Sequence, residues 1–265
     1  GRHYGFEICV QENVLFTHCL PADGYRIFLA PIGPGDKAAA FEKMHHDSLR
    51  LHQPYQVYCL TAEEAKALER WFPGRFVIES DRNNFDYIYT REDLAELQGK
   101  KYHGKRNHIK KFLTAYGDRW NYRPVEPARD FQTLLDFQKK WQETKSSGHR
   151  SDYQHELYAI ERALTHYDTL GLRGGVLEVD GRVAAFTLGV PLTADTMDVL
   201  IEKADVDIVG AYPMINREFV RNECGAFTYI DREEDMGIEG LRRAKAMLWL
   251  VKWLLAALPH TSISS

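Results

Sequence analysis

Only four cysteines occur in the 265 residues, Cys9, Cys19, Cys59 and Cys224, and no two of them form a C-x-x-C pair. A zinc site of that kind is therefore not expected, and the thiols are read as reduced, mostly buried groups of a cytosolic protein. Eleven histidines are present, but no H-E-x-x-H pattern, so a zincin-type centre has no support and no metal site is expected. Long apolar runs are also missing. The most apolar stretch, residues 246–258, is interrupted by Lys252 and falls short of the roughly 20 residues a bilayer span needs. It reads as a closing core helix. Positive charge is not in excess either. The net charge of −4 creates no overall basic field, so any anion-binding surface must be local. No secretory signal pattern is visible, and the expectation is a cytoplasmic protein without a transmembrane segment.

What is present is an ordinary globular composition, 44% hydrophobic and 27% charged, long enough for one large or two medium domains. Short runs rich in apolar and β-prone residues, bounded by turn signals, predict strands over 4–10, 14–18, 25–30, 55–60, 76–79 and 86–89. Asp36 caps an expected helix over 37–51, and Thr61 with Glu64 forms a capping box for another over 62–71. A short helix is expected over 91–97. Helices are predicted over 131–144 and 155–167, then a hairpin of strands 175–179 and 182–190 turning on Asp180-Gly181. A strand over 196–202, a helix over 210–222 and a final strand over 226–230 follow. The five tryptophans are read as core residues.

Two stretches stand out chemically. Residues 100–112 hold six Lys/Arg and no acid, and Ile109, Phe112, Leu113 and Tyr116 recur at helical spacing, so one face is expected to be buried and the other cationic. Residues 230–245 run Ile-Asp-Arg-Glu-Glu-Asp-Met-Gly-Ile-Glu-Gly-Leu-Arg-Arg-Ala-Lys. That burst of charge lies at a strand-to-helix junction, where α/β folds open crevices. The bland readings are a solvated helix face and a turn laced with surface ion pairs.

The element order β-β-β-α-β-α, repeated with two leading helices, is that of the N-acetyltransferase-like (GNAT) fold. In tandem it resembles the Fem peptidyltransferases. The segments 87–94, 97–109, 210–216 and 231–245 resemble the bacterial family grouped with the C-terminal domain of phosphatidylglycerol lysyltransferase (DUF2156). The resemblance implies an α+β fold of two tandem GNAT-like units, with mixed central sheets flanked by helices. The expected division is 1–98 for the first unit, 99–122 for a basic connecting helix and 123–265 for a second unit holding the active cleft.

Chemically the resemblance implies transfer of an acyl or aminoacyl group to an amine or hydroxyl. The donor would be a coenzyme A thioester or an aminoacyl-tRNA acting as cosubstrate, with no tightly bound cofactor. The acceptor stays open between small molecule, peptide and lipid. Glu202 is the candidate base and Lys203 the candidate partner of the donor carbonyl, while Asp231, Glu233 and Glu234 would hold an amine. Arg232 would organise these acids. Lys101, Lys105, Arg106, Asn107 and His108 would meet donor phosphates, and Gly210, Ala211, Tyr212 and Asn216 would form a helix-N-terminal donor pocket. The usual glycine-rich loop of coenzyme A enzymes is missing there, and Pro213 removes an N–H. A non-catalytic RNA-binding or interaction protein reusing the fold is the alternative.

Overall fold

A computed structural model describes residues 5–20, 24–144 and 150–246. The expected helix over 246–258 lies outside these. Contacts group the chain into two compact units, one running to Asp86 and including Glu234–Leu241, the other built on Tyr87–Glu233.

In the first unit, β1 (Glu7–Gln11), β2 (Val14–Cys19), β3 (Ile27–Leu29), α1 (Lys37–Arg50), β4 (Val57–Tyr58) and α2 (Ala62–Trp71) follow in order. The sheet order is β1-β2-β3-β4, antiparallel except for the β3–β4 pair. Both helix starts behave as their sequences predict: Asp36 accepts from the Ala39 N–H, and Thr61 and Glu64 cap reciprocally. The strand expected over 76–79 does not form. Phe76 packs on Tyr55 and Phe72, but Val77 and Ile78 stay exposed and no neighbouring strand receives them. The thiols also depart from expectation, since Cys9 and Cys59 are exposed and only Cys224 is buried. Cys9 sits on β1, which is exposed along its whole length at the sheet edge.

The second unit contains β5 (Ile88–Thr90), α3 (Arg91–Glu96), α4 (His103–Tyr116), β6 (Trp120–Pro124), α5 (Pro127–Glu143), α6 (Arg150–Thr165), β7 (Arg173–Val179), β8 (Arg182–Pro191), β9 (Thr196–Ala204), α7 (Ala211–Glu223) and β10 (Tyr229–Asp231). A final helix, α8 (Glu239–Ala246), follows. The sheet order is β5-β10-β9-β8-β7-β6, with β10 parallel to β9 and every other pair antiparallel. Asp180 and Gly181 both take positive φ, as a tight two-residue hairpin demands.

One sheet face is covered by α3, α4 and α7, around a core that includes Tyr89, Phe112, Met197, Phe219 and Ile230. The other is covered by α5 and α6, around Leu134, Ile160, Val176 and Phe186. Two details of β9 position the site. Its pairing with β8 slips at Leu188/Gly189, leaving Leu200 as an extra residue that flips the alternation of everything after it. Its pairing with β10 ends at Asp198, so from Val199 to Ala204 that edge has no strand partner among the described residues. β9 thus runs on past the C-terminal end of β10, and the carboxyl ends of parallel strands are where crevices open in such sheets.

Candidate active site

Glu202 leaves the freed stretch of β9 toward the α4/α7 face. Its carboxylate accepts from Arg232 Nη2 at 2.8 Å through one oxygen and from Asn216 Nδ2 at 2.8 Å through the other. Arg232 follows β10 directly and Asn216 lies on α7, so three elements converge on one carboxylate. The Glu202 and Arg232 side chains are each only 12% exposed. A pair this dry survives because it is matched and hydrogen-bonded.

Lys105 completes the cluster from α4. Tyr102, Lys105, Ile109 and Phe112 share the inward stripe of that segment by their 3-4-3 spacing, and Tyr102, Ile109 and Phe112 are buried. A lysine in such a stripe is half-buried, and it makes no hydrogen bond or ion pair among the described residues. Burial first, and Arg232 second, pull its pKa down to about 8, while Glu202 opposes them. The cluster therefore offers a fixed guanidinium, a clamped carboxylate and an amine whose pKa is drawn down to about 8.

The other cations of α4 have different surroundings. Lys101 pairs with Asp93 at 3.2 Å and lies 4.8 Å from the Tyr102 ring centre. Arg106 donates to the carbonyls of Leu97 and Gly99 and so ties down the end of α3. Asn107 bonds His103 at 3.0 Å, and both are exposed. His108, Lys110 and Lys111 are exposed and border a shallow surface depression with Asn107.

Lys203 is carried to the opposite sheet face. It pairs with Glu156 at 2.6 Å and lies 4.1 Å from the centre of the Trp141 ring, whose Nε1 donates to the Tyr212 hydroxyl at 3.1 Å. Burial raises the Tyr212 pKa. Trp141 thus lines a polar junction in addition to packing. Asp231 is buried and accepts from the Glu233 N–H at 2.9 Å. Glu233 takes φ 54°, and its carbonyl receives Lys245 Nζ at 3.3 Å. Lys245 also donates to the Arg232 carbonyl, which fixes the backbone that carries the guanidinium. Glu234 groups with the first unit.

The start of α7 is occupied by packing. Gly210 has φ 78°, and a Cβ there would lie 2.4 Å from the His108 carbonyl oxygen, so α4 abuts it. Ala211 N–H donates to Ile208 and Met214 N–H to Gly210, while Pro213 has none. Of the donor cradle expected there, Ala211 is engaged and Pro213 lacks its N–H, which leaves the N–H groups of Gly210 and Tyr212. Among the described residues no group of three His, Cys, Asp or Glu side chains could hold a metal ion, and no helix is long and apolar enough to cross a membrane.

A titration checks the cluster without knowledge of substrate. Competitive acetylation of all lysines across a pH series, read by mass spectrometry, should give Lys105 a midpoint near 8, well below the ordinary lysine value near 10.4. Arg232→Gln should raise that midpoint and Glu202→Gln should lower it. A midpoint unmoved by either change would dissolve the cluster.

Comparison with solved structures places a conserved protein of unknown function from Bacteroides thetaiotaomicron at 37% identity and TM-score 0.88, covering 95% of this chain and 84% of that one. The DUF2156 C-terminal domain of an Agrobacterium fabrum protein described as a lysylphosphatidylglycerol synthetase aligns at 14% identity and TM-score 0.70, covering 100% and 86%. FemX aligns at 9% identity and TM-score 0.56, covering 98% and 87%, a likeness of fold. No curated protein matches the chain. The profile of the phosphatidylglycerol lysyltransferase C-terminal family matches residues 2–247, and the chain belongs to that family.

Proposed function

We propose that the chain is an acyltransferase that moves an aminoacyl or acyl group to an amine or hydroxyl at the Lys105–Glu202–Arg232–Asn216 cluster. The observation that carries this reading is the placement of an unpaired, half-buried lysine beside a clamped Arg–Glu pair, where β9 loses its strand partner. The acceptor nitrogen or oxygen attacks the donor carbonyl carbon and its proton passes to neutral Lys105. Arg232 faces the negative charge that gathers on the carbonyl oxygen. As the donor C–O or C–S bond breaks, the Lys105 ammonium returns the proton to the leaving group. Glu202, itself held by Asn216, keeps Arg232 in place throughout.

An aminoacyl-tRNA is the favoured donor. The loop before α7 carries Asp205 and Asp207, which would repel a pyrophosphate, and the helix start offers it a reduced set of N–H groups, Ala211 being engaged and Pro213 having none. The exposed side of α4 offers Lys110 and Lys111 to a phosphate backbone. Binding of bulk tRNA should weaken steeply with salt, and Lys110→Ala and Lys111→Ala should each flatten the log–log salt slope by about 1. Transfer from charged tRNA to candidate acceptors, with coenzyme A thioesters run in parallel, tests the activity. Steep tRNA binding without turnover from any donor would favour the non-catalytic alternative.

A further inference from the structure

A second concavity lies in the same unit, apart from the Lys105–Glu202 cluster. It is a cleft of about 600 Å³ between α5, the β7–β8 turn, the end of α4 and the β9–α7 loop. That volume suits a compact organic ligand. Phe137, Trp141, Val183 and Ile208 give it apolar walls. The β9–α7 loop contributes Asp205 and Asp207 and no cation, whereas Lys140 on α5 and Arg182 on the hairpin turn contribute positive charge. Lys140 and Arg182 make no ion pair among the described residues. Asp180, by contrast, is held by Arg119 at 2.8 Å, and Asp136 pairs with Lys139 at 3.4 Å and accepts from Gln132 at 2.9 Å.

Separated charges of both signs around an apolar floor complement a ligand that carries both signs itself. We propose that this cleft binds a zwitterion with an apolar side chain, an α-amino acid or short peptide, its ammonium beside Asp205 and Asp207 and its carboxylate beside Arg182 and Lys140. A purely anionic ligand meets the acidic loop, and a purely cationic one meets Arg182 and Lys140, so each loses one favourable contact and gains one repulsion. The aromatic walls take the side chain. Trp141 belongs to this cleft and also touches Lys203 and Tyr212, so the bound side chain lies against the junction that leads through α7 to Asn216.

The test uses the whole chain, with no donor present. L-phenylalanine and the dipeptide Phe-Ala represent the two sources of a zwitterion; phenethylamine and 3-phenylpropionate keep the ring and one charge each. Ligand-observed NMR titration should find at least one zwitterion bound tenfold or more tighter than either one-charge analogue, and the tighter of the two identifies the source. Asp207→Asn should reduce the zwitterion to the level of 3-phenylpropionate, and Arg182→Gln to that of phenethylamine. Should the turn not tolerate Arg182→Gln, Lys140→Gln serves, since it lies on an exposed helix face. Equal binding of zwitterion and one-charge analogues, or no binding of any at millimolar concentration, overturns the proposal. Neither result bears on acyl transfer, which is read separately by turnover.

Discussion

Replacing Glu202 with glutamine is expected to reduce transfer at least tenfold and to cost about 3 kcal/mol of stability, the usual range for breaking a buried ion pair. The size follows from what the carboxylate holds. Both of its oxygens are engaged at 2.8 Å, by Arg232 and Asn216, in a place where the two charged side chains are only 12% exposed. Glutamine keeps one carbonyl oxygen for Asn216 or Arg232 but loses the charge, leaving the guanidinium in a dry pocket beside Lys105. Urea unfolding and a transfer assay read the two effects separately. The double variant Glu202→Gln with Arg232→Met removes the orphaned charge, so it should recover much of the stability and none of the activity. Recovery of both would reduce the pair to a structural brace.

The sign of the pH dependence follows from Lys105. Its folded pKa is depressed, so between about pH 8 and the ordinary lysine value the unfolded chain binds more protons than the folded one. Stability therefore rises with pH through that window, and Lys105→Met should flatten the rise.

Much of this architecture was legible in the chain because it is written in local chemistry. The caps at Asp36 and Thr61, the Asp180-Gly181 turn and the near-continuous apolar run of 183–190 need no tertiary knowledge. Other elements depend on distant partners. β6 alternates Trp120, Asn121, Tyr122 and Arg123 but is only five residues long, and it is held by pairing along β7 from Trp120↔Val179 to Pro124↔Gly175. β5 is three residues long and is held by β10, some 140 residues later in the chain.

The site divides in the same way. Glu202, Asn216 and Lys105 were all nameable from sequence, but not their meeting. Consecutive residues of a strand face opposite sides, so Glu202 and Lys203 cannot serve one cleft, and that signal was available in the sequence. The spacing of Lys105 from Ile109 and Phe112 likewise places it on the inward stripe, away from the solvated cations of the same helix. The bulge at Leu200 that aims Glu202 toward α7 had no local signature.

Gly210→Ala should be the most damaging single methyl in the second unit, at about 3 kcal/mol or more. Two costs combine. The residue sits at φ 78°, where a side chain is strained. The added Cβ would also meet the His108 carbonyl oxygen at 2.4 Å and Phe112 Cβ at 3.0 Å. A backbone carbonyl cannot swing aside as a flexible side-chain tip can, so α4 and α7 must separate. Gly225→Ala is the control: nothing lies within 4 Å of its Cβ position and its φ is ordinary, so its stability should stay within about 0.5 kcal/mol of the parent. The consequence for function comes from what the two helices carry, Lys105 on α4 and Asn216 on α7. Once they part, water reaches the Lys105 amine and its distance from Arg232 grows. Its acetylation midpoint should then climb from near 8 toward the ordinary lysine value, while Gly225→Ala leaves it in place. A Gly210→Ala protein that folds, loses little stability and keeps the low midpoint would mean that the approach of these helices does not set the lysine's environment.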